Sequence, residues 1–137
     1  MMLLKALLLA GVVGANETSR FHVCGAGLEE LNGLYEIDEE AVSDNAPVYT
    51  RVDGLGEKLK ADYRLFRHQG FWAFADFSAW PPQVAFRCDP TQPSGRDTCY
   101  RHDNTPPFSG YTPRVPDDKH IAPPTLQLHP CTDKQDL

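Results

Sequence analysis

The chain has 137 residues, with 13 basic and 19 acidic side chains and a net charge of −6, so it has the size of one small domain. Its sign is wrong for a ligand built on phosphates, which disfavours nucleic acid and anionic lipid as partners. Four cysteines, an even count, point to a disulfide framework if the compartment is oxidising.

The first residues bear on that compartment. Residues 1–15, MMLLKALLLAGVVGA, carry one lysine, an apolar run from Ala6 to Val13, and Val13 and Ala15 at the −3 and −1 positions of a cut. This is the composition of a secretory signal peptide. The run is shorter than the about 20 apolar residues a membrane span requires, and polar Asn16-Glu17-Thr18-Ser19-Arg20 follows at once. Removing the segment, and Lys5 with it, takes the balance from 13 basic and 19 acidic residues to 12 and 19, a net charge of −7. Residues 16–137 are then expected to be one secreted β domain with its core over about 21–129, a monomer with no membrane insertion after processing. Asn16-Glu17-Thr18 is a glycosylation sequon, but a cut after Ala15 makes Asn16 the mature N-terminus, a poor acceptor position.

In chain order, Phe21–Cys24 reads as a first short strand, Gly25-Ala26-Gly27 as a turn, and Leu28–Leu31 as one helical turn. Asn32-Gly33 is a turn signal, and Leu34–Ile37 a strand with Tyr35 and Ile37 on one face. The acidic cluster Glu36, Asp38, Glu39 and Glu40 reads as a solvated turn. After Asn45-Ala46-Pro47, Val48–Val52 alternates, with Val48, Thr50 and Val52 together, and Asp53-Gly54-Leu55-Gly56 closes it. Residues 57–62 are a polar link.

Tyr63 to Cys88, YRLFRHQGFWAFADFSAWPPQVAFRC, holds both tryptophans and most of the phenylalanines. Tyr63, Leu65 and Arg67 alternate with Arg64, Phe66 and His68; after Gln69-Gly70, Trp72, Phe74 and Asp76 alternate with Phe71, Ala73, Ala75 and Phe77. A period of two is a strand's signature, and Gly70 can take the positive φ of a tight hairpin. Pro81-Pro82 stops the second strand before Val84, Phe86 and Cys88 begin a third. Short strands at hairpin spacing predict an all-β fold: an antiparallel meander sheet or partly open barrel. Nine of the twelve prolines lie between Asp89 and Pro130, which predicts an irregular but ordered wrap carrying Cys99, Tyr100, Phe108 and Tyr111. Thr125–His129 alternates and is expected to pair at an edge near Cys24.

The cysteines allow three pairings. Cys88 and Cys99 bracket a turn-forming loop, and Cys24 and Cys131 sit near the two ends of the mature chain, which favours 88–99 with 24–131.

Several motifs in order resemble a small β module of secreted and multidomain eukaryotic proteins: Val23-x-Gly25-Ala26-Gly27, Asn32-Gly33-x-Tyr35, Pro47-Val48-Tyr49, Leu65-Phe66-Arg67, Trp72-x-Phe74-x-Asp76, Pro106-Pro107-x-x-Gly110-Tyr111 and Pro124-Thr125-Leu126. Tyr111 stands where that pattern has tryptophan. The module has no catalytic residues, so the resemblance implies fold and single-domain extent and no activity.

The chemistry-bearing residues are sparse. His22, His68, His102, His120 and His129 have no metal-ligand spacing, and although Cys88, Cys99, His102 and His120 could be assembled into a zinc set, oxidised cysteines pair with each other; no metal or cofactor is expected. No nucleophile motif is present. Arg64, Arg67, His68, Arg87 and Arg101 lie on or near the aromatic strands, and Arg64, Phe66, Arg67, His68 and Trp72 are the candidate ligand-binding residues. The reading is a secreted, non-enzymatic binding module for an extracellular protein or glycan. Its alternatives are a protease-inhibitor or toxin-like protein presenting the 89–98 loop, and a small hydrolase using Asp76 beside its aromatic neighbours.

Overall fold

The computed structural model describes residues 19–52, 61–99, 104–114 and 121–131. The signal-like segment, Asn16, the Asp53–Gly56 turn, Tyr100, Arg101, His102 and His120 lie outside them.

Eight strands form one antiparallel sheet: β1 Arg20–Cys24, β2 Gly33–Ser43, β3 Ala46–Arg51, β4 Tyr63–His68, β5 Phe71–Asp76, β6 Gln83–Cys88, β7 Tyr111–Pro113 and β8 Thr125–Gln127. Their order is β7-β6-β5-β4-β3-β2-β1-β8, so β1 to β6 each pair with the next in sequence and β8 returns beside β1. The sheet curls until the segment entering β7 meets β8, where Leu126 N–H donates to Phe108 O at 2.8 Å. The result is a nearly closed barrel, as the spacing of strands and turns predicts.

Side-chain parity builds the interior. Ile37 on β2 stands opposite Tyr49 on β3, Tyr49 opposite Leu65 on β4, Leu65 opposite Phe74 on β5, and Phe74 opposite Phe86 on β6. This in-register row crosses five strands on the inner face; Tyr49, Leu65 and Phe74 have no exposure and Phe86 has 1%. Phe21 on β1 packs on Tyr49 at 4.8 Å between ring centres, and Tyr35 on β2 meets Phe74 edge-on at 5.8 Å. Tyr111 completes the cluster, 5.2 Å from Phe74. Two of the buried phenols donate to backbone carbonyls, Tyr35 Oη to Leu31 O and Tyr111 Oη to Pro107 O, both at 2.7 Å. Burial pushes the Tyr111 hydroxyl well above its ordinary pKa.

The turns follow backbone chemistry. Gln69 and Gly70 take φ of +53° and +87°, the tight hairpin conformation that Gly70 predicts. Two expectations need correction. The acidic stretch Glu36–Glu40 is no turn: β2 runs through it to Ser43, with a register slip between Asp38 and Val42, and its exposed acids tolerate a strand facing water. The reversal falls instead at Asp44-Asn45, at φ +58° and +60°, a conformation these residues adopt with little penalty. In β3 Val48 and Thr50 share one face, as the alternation predicts; that face is the outer one, and Tyr49 meets the core. A short β7, unforeseen, pairs with β6 through Cys88 opposite Tyr111.

The proline-rich part packs on the sheet edges, with Pro106 and Pro124 fully buried. Two disulfides clamp it: Cys24–Cys131 and Cys88–Cys99, the pairing the spacing favours. Gly95 lies against the second bridge so closely that a Cβ there would sit 2.5 Å from Asp89 O and 2.7 Å from Cys99 Sγ.

Leu65→Ala and Phe74→Ala should each cost about 3–5 kcal/mol, the range for emptying a core site. Urea unfolding of the oxidised protein checks this, and a loss below about 1 kcal/mol would mean that the row does not carry the core.

Candidate functional site

Strand parity divides β4 between two environments. Leu65 and Arg67 point inward, so Arg64, Phe66 and His68 line the outer face. Across the β4–β5 ladder their partners include Ala75 opposite Arg64 and Ala73 opposite Phe66, methyl-bearing positions that leave depth over the sheet. The β5–β6 connection then folds over this face. It sets Phe77 edge-on against Phe66, 5.5 Å between ring centres.

The space so formed is a groove of ≈450 Å³, within the ordinary size range of ligand sites. Phe66, Phe77, Val48 and Val84 form its apolar walls, and Trp80 and Val42 stand at the rims. Trp80 is 83% exposed and Val42 74%, higher than any other described large apolar side chain. Each comes from a different connection, Trp80 from the Ser78–Pro82 loop and Val42 from the end of β2. Large apolar groups left in water on both sides of one concavity mark an interaction surface more than scattered single ones do.

Arg64 and His68 are the ionisable residues among the described lining. Asp62 grips Arg64 through two bonds, to Nε at 3.3 Å and Nη2 at 2.9 Å, while the guanidinium lies over the Phe77 ring at 4.8 Å. The Asp62 bond raises the guanidinium pKa against a smaller opposing effect of burial. Nη1 has no hydrogen bond to any described residue, so a rigid cation presents a free donor edge. His68, exposed, touches Phe66 at 6.5 Å between ring centres.

Arg67 and Trp72 do not join this site. Arg67 reaches Asp44 through Nε at 3.2 Å and the Asp44 carbonyl through Nη2 at 2.6 Å, and it lies 5.9 Å over the Trp72 ring. Asp44 also accepts from Gly70 N–H at 2.9 Å, and Ser43 Oγ donates to Arg67 O at 2.6 Å. These contacts clasp the β2–β3 hairpin to the β4–β5 hairpin. Trp72 is 2% exposed, and its Nε1–H has no hydrogen-bond partner among the described residues. Arg87 stacks on Phe71 at 5.0 Å and lies outside the groove lining.

Sequence reasoning missed Val42, Phe77, Trp80 and Val84. Val42 was hidden by reading the acids as a turn. Val84 joins this face because β6 carries an irregularity opposite Phe74 and Ala75, which lets Phe86 face the core and Val84 the groove. The signal for Trp80 was legible in principle: a tryptophan before Pro81-Pro82 sits where a strand must end.

Two other features bear on chemistry. Asp76 Oδ1 accepts from Asp62 N–H and Ser78 N–H, both at 2.9 Å. Burial opposes its ionisation, but these bonds outweigh burial and hold its pKa below the ordinary carboxylate value. A glycosidase's acid needs the opposite shift. The 89–98 loop is compact: Thr91 Oγ1 donates to Asp89 Oδ1 at 2.6 Å, and Cys99 N–H closes onto Gly95 O at 2.9 Å. Its Pro93–Gly95 stretch is a 3-10 turn and not an extended bait strand. The Thr91 hydroxyl lowers the Asp89 pKa, against burial and with help from Arg87.

No helix among the described residues is long and apolar enough to cross a membrane. No protein-family model, curated protein or solved structure matches this chain.

The lowered Asp76 pKa has a defined consequence for stability. A carboxyl whose folded pKa is depressed stabilises the protein above its unfolded pKa of about 3.9 and loses that contribution as pH falls through the folded value. Asp76→Asn should therefore be less stable than the parent at pH 7, and the gap should narrow as pH falls below the unfolded carboxyl pKa of about 3.9. Urea midpoints from pH 7 down into the acid range check this; a gap independent of pH would assign the loss to packing.

Proposed function

We propose that this protein is a secreted, non-enzymatic binding module that recognises an extracellular protein or glycan through the outer-face groove. One observation carries the reading: an apolar concavity on a rigid sheet, rimmed by Trp80 and Val42 in water and bordered by a fixed arginine. Aromatic side chains and arginine are the residue types over-represented where binding energy concentrates. Secretion is supported by the signal-like composition of residues 1–15 and by two disulfides that join all four cysteines. The depressed Asp76 pKa and the compact 89–98 loop favour binding over the hydrolase and inhibitor readings.

Two measurements test the proposal. The protein recovered from the medium of expressing eukaryotic cells should begin at Asn16, and retention of the whole precursor inside the cell would remove the secreted reading. On an array of extracellular proteins and glycans, Phe66→Ser and Trp80→Ala should each weaken any specific retention by about 30-fold, the effect of losing a hot spot worth 2 kcal/mol. Unchanged retention by both variants would place recognition elsewhere.

A further inference from the structure

We infer that the occupant of the groove is an extended segment of a partner protein carrying an apolar side chain with a carboxylate two residues to either side, acid-x-apolar-x-acid. This inference rests on the binding-module reading and makes its ligand specific. Glycan and peptide are separated by what the groove can hydrogen-bond. Ser43 Oγ is committed to Arg67 O at 2.6 Å, and Nε and Nη2 of Arg64 are committed to Asp62. The remaining walls are mostly hydrocarbon. A pyranose ring brings hydroxyls on every edge, and each one buried without a partner costs about 1–3 kcal/mol. An aliphatic or aromatic side chain has no such requirement, and burying one contributes about 1.5–3 kcal/mol.

Spacing and charge define the rest of the segment. Arg64, Phe66 and His68 occupy alternate positions on one face of β4, a basic-aromatic-basic strip. Side chains two apart on a strand are about 6.6 Å apart, so the two ends of the strip are about 13 Å apart. An extended peptide has the same repeat. Its complement to the strip is therefore acid, apolar and acid at alternate positions, with the central group against Phe66 and Trp80. Both ionisable lining residues are bases on a chain whose net charge is −6, so the groove differs in sign from the molecule as a whole. Asp62 orients Arg64 without covering Nη1, and that N–H is the donor for the first carboxylate. His68 provides the second contact through its ring nitrogens.

The experiment is selection of a displayed random peptide library on the full disulfide-bonded protein, followed by affinity measurement on the enriched peptides. The expected result is enrichment of an aromatic or aliphatic residue with Asp or Glu at both second neighbours. Those peptides should bind at least 10-fold more weakly to Phe66→Ser and to Trp80→Ala; Trp80 is 83% exposed, so loss on its truncation cannot be assigned to misfolding. Arg64→Gln should weaken the acidic peptides several-fold and leave variants with Gln in place of the first acid unchanged, a coupling that a purely structural role for Arg64 would not produce. Absence of enrichment, enrichment without the spaced acids, or affinities indifferent to these substitutions would overturn the inference. Glycan retention abolished by Trp80→Ala, with no peptide enriched, would overturn the peptide and keep the binding module. Array retention insensitive to both groove substitutions would place recognition outside the groove and overturn the groove as the site.

Discussion

Everything in this molecule follows from the inner row Ile37, Tyr49, Leu65, Phe74 and Phe86 standing opposite one another across adjacent strands. A strand has a strict period of two, so once Leu65 is committed to the interior, Arg64 and Phe66 have no choice but the outer face. A slip of one residue would bury a guanidinium and expose the core, at a cost no surface contact could offset. Packing thus fixes which face of β4 carries Arg64, Phe66 and His68, without those residues contributing to the decision.

The second constraint is closure. A curled sheet this small ends in two short edges, and unpaired edges are the weak point of β proteins. Here the edges are covered by the segments around Pro106–Phe108 and Pro124, whose prolines cannot donate to a further strand and so discourage addition of another chain. The contact between Phe108 and Leu126 is a single backbone bond, while the bridges Cys24–Cys131 and Cys88–Cys99 hold the flanking chain in place. In the chain-entropy view a short loop contributes about 3 kcal/mol and one of about 100 residues nearly 5. The two bridges have sequence separations of 11 and 107, so the longer loop limits the unfolded chain more. Gly95 and Gly110 lie where any side chain would strike the Cys99 sulfur or its neighbours, which is why the loop can fold so tightly.

Polar groups divide into two sets. Arg67, Asp44, Ser43 and Gly70 join two hairpins at one end of the barrel, and the Arg67 side chain keeps only 14% of its exposure. Arg64 and Asp62 form a pair at the surface, where Coulombic gain is small but orientation is retained. The two arginines differ by three positions in sequence and by one face of the sheet. One holds the fold together and the other points a charge outward.

The distribution of residues along the chain was enough to establish the all-β class, the antiparallel order and the hairpin at Gln69-Gly70, to place Arg64, Phe66 and His68 together on one face, and to favour the 88–99 and 24–131 pairing. These depend on local periodicity, on backbone freedom at glycine and on the even cysteine count, all of which are short-range properties. Sequence could not separate Arg67 and Trp72 from the strip, because alternation reveals two faces without saying which one meets the core. Nor could it show that β2 crosses its acidic stretch: four nearby acids are compatible with a turn or with a solvated strand, and pairing with β3 decides. The groove itself belongs to tertiary structure alone. It exists because a bulge in β6 turns Val84 outward, the loop after β5 lays Phe77 and Trp80 over β4, and the end of β2 brings Val42 to the opposite rim; these are contacts between residues far apart in the chain, which no local pattern encodes.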